Sequence, residues 1–313
     1  MRPIQMAAPA TAADDPRIGH LLGRAEDRWV ASLVGFPSDE GVRRNGGRLG
    51  AAAGPTEIRR WLYRMTPDAT SERFTRLLGR THDLGDVDVT GDLERDLEAL
   101  GAVVAEQLTA GRYVVVLGGG HEVAFGHFLG YARRGAPVEI VNWDAHADVR
   151  PWIDRDGRAV AHSGSPFRQA LEHPSGACRG YSVAGVQPGS LAAAHRAYVE
   201  AAGGRVVLRH QVGSGTPLEL LDGLRNDALV SFDLDALDQS LAPGVSAPAT
   251  DGLDLAVWLR AAEEAGRCRR VSSIDVAELN PELDRDGQTA RVAALTVWRF
   301  LRGLSSRAAM PPR

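Results

Sequence analysis

Only two cysteines occur in this 313-residue chain, Cys178 and Cys268. They stand far apart and fit no metal-binding or redox spacing, so the chain reads as carrying free thiols in a reducing compartment. Long apolar runs are missing as well. No stretch approaches the ~18 residues needed to cross a bilayer, and no membrane partner is expected. The Ala/Pro-rich beginning lacks a continuous apolar segment and reads as a flexible tail over residues 1–20 rather than a signal peptide. Positive charge is not in excess: 36 Lys and Arg stand against 40 Asp and Glu, a net charge of −4. That balance leaves no basic footprint for nucleic acid. No repeat, low-complexity linker or shift in composition divides the remainder, so residues 21–313 are expected to form one cytoplasmic domain.

What is present alternates between strand-like and helix-like patterns. Strands are expected at residues 29–36, 113–117, 139–143, 182–186, 206–209, 229–233 and 271–276. Helices are expected at 56–63, just after Pro55, and at 93–108, where Leu93, Leu97, Leu100, Val104 and Leu108 recur at helical spacing. Such alternation predicts an α/β fold with a mostly parallel central sheet covered on both faces. Ligand sites in open α/β sheets lie at the carboxyl ends of the strands. The polar clusters fall at such ends: His121 behind Gly118-Gly119-Gly120, the run Asp144-Ala145-His146-Ala147-Asp148, the pair Asp233 and Asp235, and Glu278.

Alternation along an extended backbone sends residues two apart to the same side, so Asp144, His146 and Asp148 can converge on one point. Four carboxylates and two imidazoles exceed the needs of one tetrahedral zinc. Gathered without a cation, the carboxylates would repel one another. Two divalent ions about 3.5 Å apart would neutralise them with one or two Asp bridging, and a water shared by both would become a hydroxide nucleophile near neutral pH. Oxygen-rich ligands with some imidazole favour Mn²⁺. Blander readings exist for each piece: three glycines can close a turn, and Asp233 and Asp235 can cap one. A phosphate cradle at Gly118–Gly120 lacks the Gly-Lys-Ser/Thr that should follow.

Taken together, Gly118-Gly119-Gly120-His121, Asp144-Ala145-His146-Ala147-Asp148 and Ser231-Phe232-Asp233-Leu234-Asp235 resemble the three signature motifs of the ureohydrolases, the arginase, agmatinase and formimidoylglutamase superfamily. The likeness runs from about Val34 to Arg299. It implies the three-layer α/β/α arginase-like fold and two Mn²⁺ per chain. His121 and Asp148 would bind one ion and His146 and Asp235 the other, with Asp144 and Asp233 bridging. It also implies a trimer or hexamer of the chain.

Three further stretches look like the formimidoylglutamase branch. These are residues 38–51, the run His121-Glu122-Val123-Ala124-Phe125-Gly126-His127, and Glu278-Leu279-Asn280-Pro281 with Thr289-Ala290-Arg291. The implied reaction is hydrolysis of N-formimidoyl-L-glutamate to L-glutamate and formamide in histidine degradation, by attack of the metal-bridging hydroxide on the formimidoyl carbon. Glu278 would hold the cationic formimidoyl nitrogens. His162 matches the position of a proton-shuttling histidine in arginases. Arg43, Arg44 and Arg291, supported by Asn45, are the candidates for the substrate carboxylates, because a guanidinium binds them bidentately. Two departures from the pattern, Gln239 after Asp238 and Asp251 before Gly252, bear on loop shape and substrate fit. Competing readings are a guanidino hydrolase releasing urea, a mononuclear zinc deacylase, and a catalytically silent relative.

Overall fold

The computed structural model describes residues 1–3, 9–11, 14–25, 28–155 and 157–307. Ten strands run along these residues: β1 (Ala31–Phe36), β2 (Thr81–Asp86), β3 (Tyr113–Gly118), β4 (Val138–Trp143), β5 (Ile153–Arg155), β6 (Arg158–Val160), β7 (Cys178–Val186), β8 (Arg205–Leu208), β9 (Asp227–Asp233) and β10 (Val271–Ala277). The helices are α1 (Ile18–Leu21), α2 (Glu40–Arg44), α3 (Gly54–Leu62), α4 (Glu72–Gly79), α5 (Leu93–Thr109), α6 (Val123–Arg133), α7 (Pro166–Leu171), α8 (Ala193–Ala201), α9 (Thr216–Asp222), α10 (Leu255–Arg267) and α11 (Gln288–Ser305).

Eight strands form one sheet in the order β2-β1-β3-β10-β9-β4-β7-β8. Every ladder in it is parallel. Strands β5 and β6 make a separate short antiparallel hairpin. The central strands explain themselves by composition. Tyr113-Val114-Val115-Val116-Leu117-Gly118 is buried throughout, as a parallel strand covered on both sides must be. Its alternate residues enter opposite cores, Val115 and Leu117 on one face and Val114 and Val116 on the other. Ile58 of α3, Phe74 of α4, Trp258 of α10 and Phe300 of α11 fill the first core. Leu100 of α5, Phe128 of α6, Phe167 of α7 and Val199 of α8 fill the second. The result is the expected three-layer α/β/α arrangement.

Helices α5 and α6 approach closely because glycines face the contact. A Cβ on Gly130 would lie 2.3 Å from Val104 Cγ1, and one on Gly101 would lie 2.6 Å from Leu129 Cβ. That proximity presses α6 onto the sheet, with His127 and Tyr131 fully buried.

Two features depart from the sequence pattern. Strand β2, Thr-His-Asp-Leu-Gly-Asp, has no apolar run to announce it. It is an edge strand with β1 as its only neighbour in the sheet, and most of it is half-buried. Near the amino terminus, Ile18 is fully buried in the first core, and Arg2 forms a backbone bridge with Asp86. Other residues of the expected tail, 4–8 and 12–13, lie outside those described. Both cysteines are free thiols, and among the described residues no helix is long and apolar enough to cross a membrane.

A buried cation substitutes for apolar packing at the β2 edge. The Arg59 side chain, 1% exposed, reaches from α3 to Asp83 (Nε to Oδ2, 2.8 Å) and Asp86 (Nη1 to Oδ1, 2.6 Å). It also donates to the Gly85 carbonyl at 3.0 Å, and Tyr63 Oη donates to Asp83 at 2.8 Å. Replacing Arg59 by Ala strands two carboxylates, and urea denaturation should show a loss of about 3–5 kcal/mol. A loss of about 0–1 kcal/mol, the range of surface pairs, would mean that the cluster is solvated and does not hold the edge.

Candidate metal centre and active-site cavity

Strands β3, β10, β9 and β4 are consecutive in the sheet, and their carboxyl ends deliver His121, Glu278, Asp233 with Asp235, and Asp144 with His146 and Asp148 to one place. The glycines before His121 serve close approach. A Cβ on Gly119 would sit 1.9 Å from the Ser38 carbonyl oxygen, and the Gly120 N–H donates to that same oxygen at 2.9 Å. The turn therefore packs against the chain leaving β1, which settles its purpose without a phosphate.

His121 Nδ1 faces three carboxylates: Asp233 Oδ2 at 2.9 Å, Asp148 Oδ2 at 3.0 Å and Asp144 Oδ2 at 3.3 Å. His146 Nδ1 lies 3.1 Å from Asp235 Oδ2 and 3.4 Å from Asp144 Oδ1. Donor atoms of His121, Asp144, Asp148 and Asp233 form one group within 4.8 Å, and those of Asp144, His146 and Asp235 form another. Asp144 belongs to both, one oxygen toward each imidazole. The carboxylates are held from behind. Asn142 Nδ2 donates to Asp144 Oδ2 at 2.9 Å, the His146 N–H to Asp144 Oδ1 at 2.6 Å, and the Asp235 N–H to Asp233 Oδ1 at 2.8 Å.

Electrostatics express the same crowding. Asp235 beside it is the main force lifting the His146 imidazole to about 12, against burial. Burial opposes a charged His121, but Asp233, Asp144 and Asp148 outweigh it and carry that imidazole well above its ordinary value. Burial, reinforced by Asp235, pushes the Asp233 carboxyl well up. Desolvation, with Glu122 and Asp235 nearby, raises Glu278 to about 8. Such a donor set is stable only with positive charge among it, and two divalent cations fit the two groups. Backbone geometry is also unusual here. Asp148 (φ 45°) and Glu278 (φ 69°) adopt the left-handed region, at a cost of order 1–3 kcal/mol each that the surrounding contacts must offset.

Above this cluster opens a cavity of about 380 Å³. His121, His146, Asp148, Asp233, Asp235 and Glu278 border it, and Asn45, Arg48, Arg150, Ser163 and Ser246 line the rest. Glu278 is fixed by accepting the His121 N–H at 2.7 Å. Asn45 donates to Ser163 Oγ at 3.2 Å and accepts from Arg150 Nη1 at 3.2 Å.

Asp144 lies beneath the lining, and four of the residues singled out for substrate binding or proton transfer are not part of it either. Arg43 and Arg44 sit three and four residues after Glu40 on α2, and both pair with it. Arg44 is further held by Glu94 at 2.6 Å and the Ala161 carbonyl at 3.1 Å. Arg291 lies on α11, paired with Asp286 and 4.3 Å above the Trp61 ring, along a different groove. His162 is buried: its Nε2 lies 3.0 Å from the Pro151 carbonyl, and its Nδ1 accepts the Gly164 N–H at 3.2 Å. Both nitrogens thus have backbone partners. The arginines that do reach the cavity, Arg48 and Arg150, were missed in the sequence. Arg150 had a signal, standing two residues beyond Asp148 in the same strand-end turn.

Comparison with known proteins follows this geometry. Residues 30–302 match the arginase family. The formimidoylglutamase of Nocardia farcinica is 40% identical over 278 residues, covering 86% of this chain and 85% of that protein. That of Aeromonas hydrophila is 38% identical over 312 residues, covering 92% and 95%. The crystal structure of Trypanosoma cruzi formiminoglutamase with Mn²⁺₂ superposes with a TM-score of 0.84 at 33% identity, over 94% of this chain and all of that one. The chain belongs to the arginase family. It is an amidine-hydrolysing enzyme of that family, with the arginase fold.

The double membership of Asp144 has a measurable consequence. Asp144→Ala should weaken metal uptake at both groups, whereas His146→Ala should weaken it at one, as counted by elemental mass spectrometry on protein incubated with Mn²⁺. Equal losses would contradict the two-group geometry. For His162, burial holds the imidazole pKa below its usual 6.5. The unfolded chain then binds more protons below that pH, so this contribution to stability is complete above about pH 6.5 and is lost as pH falls further. Urea titrations at pH 5 and 7 should show a smaller pH effect in His162→Gln than in the parent protein; an unchanged difference would remove His162 from the account.

Proposed function

We propose that the protein is a manganese-dependent formimidoylglutamase, converting N-formimidoyl-L-glutamate and water to L-glutamate and formamide as a step of histidine breakdown. The observation that carries this reading is the polarity of the cavity: carboxylates and Glu278 at the metal-cluster end, guanidiniums of Arg48 and Arg150 on the wall. That polarity suits a substrate with a cationic amidine at one end and two carboxylates at the other. A guanidino substrate with a second cation, such as agmatine, would meet Arg48 and Arg150 with like charge. The named relatives in two bacteria support the same substrate.

His121 and Asp148 would hold one ion and His146 and Asp235 the other, with Asp144 and Asp233 between them. When bound, the Mn²⁺ pair supplies Lewis acidity and lowers the pKa of water enough to give a nucleophile at neutral pH. Glu278, locked by the His121 N–H and its own backbone, is placed to accept charge-assisted hydrogen bonds from the formimidoyl nitrogens, turning the electrophilic carbon toward the cluster. Arg48 is steadied by its Nε and Nη2 contacts to the Ser246 and Val245 carbonyls, at 2.8 and 2.7 Å. Arg150 is steadied by Asn45. Each presents remaining N–H groups to a substrate carboxylate. The same reading takes the enzyme to be cytoplasmic and a homo-oligomer, a trimer or hexamer.

A parallel assay of the Mn²⁺-loaded protein on formimidoylglutamate, agmatine, guanidinobutyrate and arginine tests the substrate. Glutamate without urea is expected; urea from a guanidino compound would replace this reading with the guanidino-hydrolase one. Arg48→Ala and Arg150→Ala should each raise KM roughly tenfold or more with kcat little changed, the signature of lost ground-state binding through a charged hydrogen bond. Arg43→Ala and Arg291→Ala should leave KM where it was. An unmoved KM in both cavity variants would sink the anchoring role.

A further inference from the structure

Behind the metal cluster a chain of polar side chains runs into the core between the sheet and α6. His121 Nε2 lies 2.9 Å from Ser231 Oγ, and Ser231 Oγ donates to Asp275 Oδ1 at 2.6 Å. Asp275 Oδ2 meets His127 Nδ1 at 2.7 Å, His127 Nε2 meets Ser273 Oγ at 2.6 Å, and Ser273 Oγ meets Tyr131 Oη at 2.6 Å. None of the six is more than 1% exposed. The fold explains their meeting. Ser231 and Asp275 are register partners on β9 and β10; Ser273 and Asp275 share a strand face, being two apart; His127 and Tyr131 share a helix face, being four apart.

Hydrogen-bond capacity fixes the direction of this chain. Ser231 has one hydrogen and gives it to Asp275, so toward His121 Nε2 it can only accept. His121 Nε2 therefore carries hydrogen, and in the neutral ring Nδ1 is bare. Nδ1 is the atom facing Asp144, Asp148 and Asp233, and a bare nitrogen is what a metal requires. The arrangement holds as long as Asp275 remains an acceptor on both oxygens, which the His127 Nδ1–H secures at Oδ2.

We infer that His127 is a positioning residue for the metal centre, acting through Asp275 and Ser231 to hold His121 in the tautomer with Nδ1 free. With an apolar side chain at 127, Asp275 Oδ2 loses its donor in a site closed to water. Freed from that partner, the carboxylate can turn away from Ser231. The serine hydrogen would then turn toward His121 Nε2 and select the tautomer with hydrogen on Nδ1, which cannot ligate. This inference rests on the metal-centre reading of the cluster.

The test is Mn²⁺ binding, site by site, by electron paramagnetic resonance and elemental analysis, on the full chain and on His127→Leu, His127→Asn and Ser231→Ala. The parent protein should take two ions. His127→Leu and Ser231→Ala should bind the ion on the His121 side roughly 10- to 100-fold more weakly, the usual cost of losing an outer partner of a ligand. His127→Asn, whose side-chain N–H can take the place of Nδ1, should restore most of the affinity. A merely structural role would lower the melting temperature without separating the Leu and Asn variants at the metal. Parent-like binding in folded His127→Leu, or in Ser231→Ala should the Leu variant not fold, overturns the inference, as does equal weakening in His127→Asn. A parent protein that takes up no Mn²⁺ overturns the metal reading itself, and this inference with it.

Discussion

Mutual repulsion among four closely gathered carboxylates is the constraint around which this molecule is organised. Asp144, Asp148, Asp233 and Asp235 are brought together at the floor of a cavity, all but Asp148 buried. Two imidazoles cannot neutralise four acids. The arrangement becomes favourable when cations supply the balance, and the sheet must be rigid enough to hold the ligands in place until they do. Rigidity comes from four adjacent central strands, each covered by helices on both faces, so that no ligand rides on a mobile edge. Hydrogen bonds from Asn142 and from the His146 and Asp235 amides then fix individual carboxylate oxygens, and Ser231 Oγ accepts from the His121 ring.

Topology does the assembling. The last two strands of the chain, β9 and β10, insert between β3 and β4 rather than adding to an edge. His121 is thereby placed beside Asp233, 112 residues later in number, and Glu278 beside His121. The same insertion creates the polar seam beneath α6, since Ser231 and Asp275 become neighbours only when β9 pairs with β10. Close glycine contacts between α5 and α6 bring His127 down to that seam. One packing decision thus shapes both the open face of the site and its buried support.

Local patterns were legible in the sequence where burial imposes them. The valine-rich run of β3 and the heptad-like leucines of α5 need both an apolar interior and a regular backbone, and they read directly as a strand and a helix. Strand β2 was not legible, because its stability comes from a buried arginine and two aspartates rather than from apolar residues. The cavity-facing arginines, Arg48 and Arg150, were not legible for a related reason. Whether a guanidinium points into a cavity depends on which acid captures it first, and Glu40 and Glu94 capture Arg43 and Arg44.

By itself, the sequence determined the chemistry available at the strand ends. Aspartates and histidines two residues apart at the end of a buried strand point the same way whatever the rest of the chain does, because alternation is a property of the extended backbone. Only the tertiary structure decided which cations share the cavity with them, and which polar side chains stand behind them. Arg48, Arg150, Asp275 and His127 acquire their roles from distances across the fold, and a contact between residues a hundred or more positions apart leaves no local trace in sequence.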